Sequence, residues 1–146
     1  TGVQTCALPI LLPTFKAVSV TFAVSAVATG VQALVDPIGF TKTFGLLLSH
    51  NIKADDGAAS TASRDRSVTL SYVSLMGVRQ LATGLTLLVF AWQSKWTEAA
   101  TILAIIGVVV AGTDGVYLAR GGEASKGRWH AIPGVLIAAL AAAVVR

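Results

Sequence analysis

The sequence predicts an all-α integral membrane protein, a four-helix bundle with a short interfacial helix after the first span. Three observations carry that expectation. The chain is 54% hydrophobic and 12% charged, against about 25% charged in ordinary globular domains. Its apolar residues gather in runs long enough to cross a hydrocarbon core about 30 Å thick, which takes about 20 helical residues. Two of those runs carry a single charge deep inside them, Arg79 and Asp114. On the translocon scale a central Arg or Asp costs roughly 2.5 to 3.5 kcal/mol, so such residues usually face a partner, a water-filled cavity or a substrate path.

The chain opens on TGVQTCALPI, Thr1 to Ile10, which resembles the in-frame translation of a common sequencing-library adapter. Residues 1–10 are therefore set apart from the fold, and residues 11–146 are read as a single transmembrane domain. Setting them apart removes Cys6, the only cysteine, and with it any disulfide, thiolate metal site or cysteine nucleophile.

The first span runs from about Leu12 to Val35, with Pro13 in its first turn and Lys16 able to snorkel to the interface. A cleaved signal peptide ending at Ala26-Val27-Ala28 is the rival reading, opposed by apolar residues continuing through Val35. Asp36 and Pro37 then make an N-cap and a first helical position. In IGFTKTFGLLL, Ile38, Phe40, Phe44, Leu47 and Leu48 share one face at helical spacing, so a short interfacial helix is expected. Residues 49–66, rich in Ala, Ser, Asp and Gly, read as a flexible loop.

The second span is Val68 to Trp92 and the third Ala99 to Ala119. Gln93 to Glu98 is too short a link for anything but an antiparallel hairpin, and Trp92 and Trp96 bracket it as belt aromatics. Gly121-Gly122 ends the third span. The fourth runs from Trp129 to Val145.

Small residues spaced by four mark contact faces between helices in lipid. They occur as Gly107, Ala111 and Gly115 on the third span, Gly134, Ala138 and Ala142 on the fourth, and Ala26 and Gly30 on the first. On the second span Tyr72, Met76, Arg79, Thr83 and Thr86 form an i, i+3, i+4, i+7 row with Gln80 beside it, and this polar row is expected to face protein.

The net charge of +4 might suggest nucleic acid, but the basic residues lack aromatic interleaving and a helical stripe. Lys42, Lys53, Arg64, Arg66, Arg120, Lys126 and Arg128 lie in the long loops, 36–67 and 120–128, against Lys16, Lys95 and Arg146 on the other side. The positive-inside rule then makes the long loops cytoplasmic.

Counting from the short loop, Arg79 is 13 residues from Trp92 and Asp114 is 17 from Thr97. The backbone offset is about 6 Å, so an Arg79–Asp114 pair is expected, with Asp36 and His130 at its mouth. Two readings stay open. One is an ion pair that sets helix register, whose breaking leaves an uncompensated buried charge. The other is a polar pocket for a head group, a carboxylate or a proton. His130 is an interfacial residue or a proton-transfer group. Tyr72 and Tyr117 are packing or interface residues, with Tyr117 also able to donate a hydrogen bond to Asp114.

Other chemistries find no support. Two histidines without a carboxylate cluster make no metal site, and no cofactor is implied. No G-x-S-x-G elbow occurs. GTDG, Gly112 to Gly115, is like a phosphate loop in composition only, because it lies within a span and lacks the following lysine.

Pro37 and Phe44-Gly45 after the first span, GVRQLATGL (Gly77 to Leu85), GTDG and a histidine opening the last span together carry a family likeness. The chain resembles the small four-helix membrane proteins grouped as domain of unknown function 4267, and more distantly DoxX-like bundles. The resemblance implies the architecture and marks Arg79, Asp114 and His130 as family-type polar positions; it carries no activity.

The leading functional expectation is a non-catalytic scaffold or a lipid- or small-molecule-binding subunit. One alternative is a membrane enzyme acting on an apolar small molecule, with Asp114 or His130 as acid or base and Arg79 orienting an oxygen. Another is a small carrier or proton-coupled transporter, disfavoured by four helices without a repeat. The bilayer is the partner that composition implies; a lipid, an apolar small molecule or a second copy are further candidates, and nucleic acid is not.

Overall fold

A computed structural model describes residues 8–43, 58–120 and 124–145. They form five helices: α1 (Leu8–Val35), α2 (Pro37–Thr43), α3 (Ala58–Trp92), α4 (Trp96–Arg120) and α5 (Ala124–Val145). Within them four stretches are long and apolar enough to cross a membrane, Ile10–Val35, Arg66–Trp92, Trp96–Tyr117 and Gly127–Val145. At most 28% of any of these windows is buried within the chain, so most of each helix surface is left for lipid. The protein is an all-α, multi-pass membrane protein.

The boundaries depart from the sequence reading in instructive ways. α3 starts at Ala58, ten residues before the expected span, so residues 58–66 of the expected loop are helical and 49–57 lie outside the described residues. ASTASRDR contains no Gly or Pro, and its Ala and Arg residues are good helix formers; its polarity hides it from a search for apolar runs. α1 begins at Leu8, which places Pro13 in the second turn and not the first. α5 begins at Ala124, five residues before Trp129, and Pro133 lies inside it.

Two joints are built by identifiable caps. At the first, Asp36 N–H donates to Gln32 O at 2.7 Å and Phe40 N–H donates to Asp36 O at 2.9 Å. One residue thus closes α1 and opens α2. Its carboxylate accepts from Gly39 N–H at 2.8 Å, the N-cap bond to the third helical position, and Pro37 occupies the first position as expected. Phe44, Leu47 and Leu48, placed on the same helix by spacing, lie outside the described residues.

At the second joint Lys95 N–H donates to Phe90 O at 2.8 Å and Ser94 N–H to Ala91 O at 3.1 Å. That is the Schellman pattern, with Ser94 at φ 57° in the left-handed position usually held by glycine. Lys95 O then accepts from Ala99 N–H at 3.1 Å, so α4 starts without any further link residue. Glu98 lies in its first turn, where a carboxylate complements the helix dipole.

The chain divides into two compact units. One comprises Thr1–Ala23 with Thr86–Arg146. Its core consists of Phe15, Ala23, Leu87, Ala99, Ala100, Leu103 and Ala141, all buried. α4 and α5 pack antiparallel along a seam of small residues. A Cβ on Gly127 would stand 2.6 Å from Gly115 O, and one on Gly115 2.7 Å from Ala131 Cβ. Further along, Gly107 meets Gly134 and Ala138, and Gly134 meets Ala111. The expected seam is thus present and longer than expected, gaining Gly127 and Ala131. Ala142, however, is exposed, and Ala141 is the buried residue at that end.

The second unit is Val24–Leu85. Here α1 presents Gly30 and Ala33 to α3, and Ala26 one turn before Gly30 is buried. A Cβ on Gly30 would stand 2.6 Å from Leu81 N, and one on Gly77 2.6 Å from Ala33 Cβ. Helices in lipid gain little from the hydrophobic effect, so such backbone approach is what holds them together.

Candidate functional site

The site residues are best placed by the face of the helix that carries them. On α3 the packed face is Val73, Gly77, Gly84 and Leu87, all buried. Tyr72, Met76, Arg79 and Thr86 are exposed, while Gln80 and Thr83 are half-buried. The expectation that the polar row faces protein is therefore corrected. Close approach at Gly77 sets the rotation of α3, and Gly77 lies about 160° around the helix from Arg79.

Arg79 stands in the middle of the Arg66–Trp92 span, 13 residues from each end. Its backbone carbonyl accepts the Thr83 hydroxyl at 2.9 Å. That bond engages the Thr83 hydroxyl with the main chain. Tyr72, two turns toward Arg66, is 65% exposed.

Asp114 lies in α4, half-buried beside the Gly115 contact with α5. Neighbouring Thr113 returns its hydroxyl to Val109 O. Tyr117, one turn on, is 67% exposed. Gly112 differs from its neighbours in the seam, since a Cβ there would meet nothing within 4 Å.

Arg79 belongs to the Val24–Leu85 unit and Asp114 to the other. His130 is on α5, and its side chain is outside the described residues. Asp36 is exposed at the α1–α2 joint, where its carboxylate serves as the cap of α2.

One contact went unnoticed in the sequence. Lys16 Nζ lies 5.1 Å from the centre of the Trp96 ring, within the range of a cation–π interaction. The sequence places both residues near the short loop, and nothing in its pattern pairs them.

No curated protein and no solved structure matches the chain. A family model described as a domain of unknown function (DUF4267) matches residues 23–144. That range takes in GVRQLATGL with Arg79, GTDG with Asp114, and His130, and it covers most of the 146 residues: the chain belongs to the DUF4267 family.

Proposed function

We propose that the protein is a non-catalytic membrane scaffold that binds a lipid or an apolar small molecule through the open polar face of α3. The observation that carries this reading is Arg79, exposed at the midpoint of a membrane-spanning helix. A guanidinium facing hydrocarbon costs several kcal/mol unless an acidic or hydrogen-bonding group meets it. A molecule arriving from the bilayer with a polar end and an apolar body would supply both parts of what this face lacks. Asp114 is the second polar group of the bundle, and its half-buried place beside the α4–α5 seam suits it to holding that helix pair in register.

The test is extraction and mass spectrometry of what copurifies in mild detergent. The wild type and Arg79→Lys should retain a bound amphiphile, while Arg79→Leu should lose it and keep its helical content. Equal retention in Arg79→Leu would remove the basis of the reading. For orientation, the basic loops belong on the cytoplasmic side. A single cysteine at Ser60 should resist an impermeant maleimide in intact cells and react in opened ones; labelling of intact cells would reverse the topology.

A further inference from the structure

Resting on the lipid-binding reading above, we infer that Arg79 holds the carboxylate of a single-chain amphiphilic acid whose tail lies along α3. Depth selects this class. With 13 residues on either side, the Arg79 Cα is about 20 Å along the helix from each end of the span. Side chains lean toward the helix N-terminus, so the guanidinium shifts toward Arg66 by roughly one turn, about 5.4 Å. With a half-thickness of about 15 Å, it stays about 10 Å inside the hydrocarbon boundary. Phospholipid phosphates lie beyond that boundary and reach Arg79 only if the bilayer deforms.

A carboxylic acid has no such barrier. It reaches Arg79 through hydrocarbon as the neutral acid, gives its proton to the water that a guanidinium at this depth draws in, and as a carboxylate accepts two parallel N–H bonds from the guanidinium. Such bidentate pairs are among the strongest that side chains make. The surroundings of Arg79 suit the remainder of such a molecule. Leu75, Val78, Ala82 and Leu85 flank it on the exposed side of α3, giving an apolar track for a tail. The Thr83 hydroxyl is already engaged with the Arg79 carbonyl, and Tyr72 lies about 10 Å toward Arg66, at the level where the face reaches the interface.

A second copy of the chain is a poorer occupant. Two copies related by a two-fold axis along the membrane normal would bring Arg79 against Arg79 at equal depth, and like charges repel most strongly in a low dielectric.

The experiment uses the full chain in phosphatidylcholine nanodiscs with photoreactive palmitate, hexadecanol or phosphatidylglycerol as probe. Palmitate should label the peptide containing residues 72–85, and Arg79→Leu should lower that labelling about tenfold or more, while Arg79→Lys retains most of it. Hexadecanol, with the same tail and no charge, should label no better than in Arg79→Leu. Labelling by palmitate that is indifferent to Arg79 overturns both this assignment and the lipid-binding reading. Arg79-dependent labelling by phosphatidylglycerol without palmitate leaves that reading standing and overturns the carboxylate. An Arg79-dependent dimer in native mass spectrometry, with no palmitate label, replaces the ligand by a second copy.

Discussion

Gly30 and Gly77 meet backbone to backbone. A Cβ on Gly30 would stand 2.8 Å from Gly77 O, and a Cβ on Gly77 3.1 Å from Gly30 O. The neighbours of Gly30 are main-chain atoms, with Leu81 N closest at 2.6 Å, and main chain cannot swing aside. Gly30→Ala is therefore expected to destabilise by about 1 to 3 kcal/mol through overpacking. Gly112→Ala, where a Cβ meets open space, should be neutral or stabilising by up to about 1 kcal/mol. Unfolding titrations in mixed micelles measure both, and equal losses at the two positions would disprove the contact.

Ser94 offers an improvement. Its φ of 57° costs an L-residue roughly 1 kcal/mol that glycine does not incur. Ser94→Gly should raise the thermal midpoint of the protein in detergent, and Ser94→Val should lower it. A drop with glycine would mean that the Ser94 side chain contributes more than its backbone strain costs.

Asp36 and Gly39 should behave as one unit. Asp36→Ala removes the N-cap bond and should cost about 1 kcal/mol. Gly39→Ala would put a Cβ against the Asp36 carboxylate and displace the same bond. The double variant should then lose less than the sum of the two, a coupling readable in a double-mutant cycle. Strict additivity would show that the cap contributes nothing.

Lys16 and Trp96 are 5.1 Å apart, ring centre to ammonium. A cycle of Lys16→Met and Trp96→Leu should yield a coupling of about 0.5 to 1 kcal/mol, higher if the pair is shielded from water. Zero coupling would reduce Lys16 to a solvated interfacial charge.

The residues that were legible in advance share a property: their effect is set by composition along one helix. Spans came from run length, the Asp36-Pro37 joint from cap chemistry, and the α4–α5 seam from Gly and Ala at four-residue spacing. The error at α3 has a definite cause. Its polar row and its glycine face are both plausible inward faces by composition, and the choice depends on the partner helix. Gly30 and Ala33 on α1 receive Gly77, and that match of shapes overrode polarity. Ser94 carried no signal at all, since serine is an ordinary residue until the Schellman bonds force its φ positive.

By itself, then, the sequence determined the solvent and the segments: an apolar chain with spans of bilayer length belongs in lipid, because run length and hydropathy are local quantities. The rotation of each helix about its axis was decided only by tertiary structure. In lipid the apolar faces of a helix are nearly equivalent in energy, so close backbone contact between particular glycines selects which side turns inward. For α3 that selection turned Gly77 toward α1 and left Arg79 facing outward.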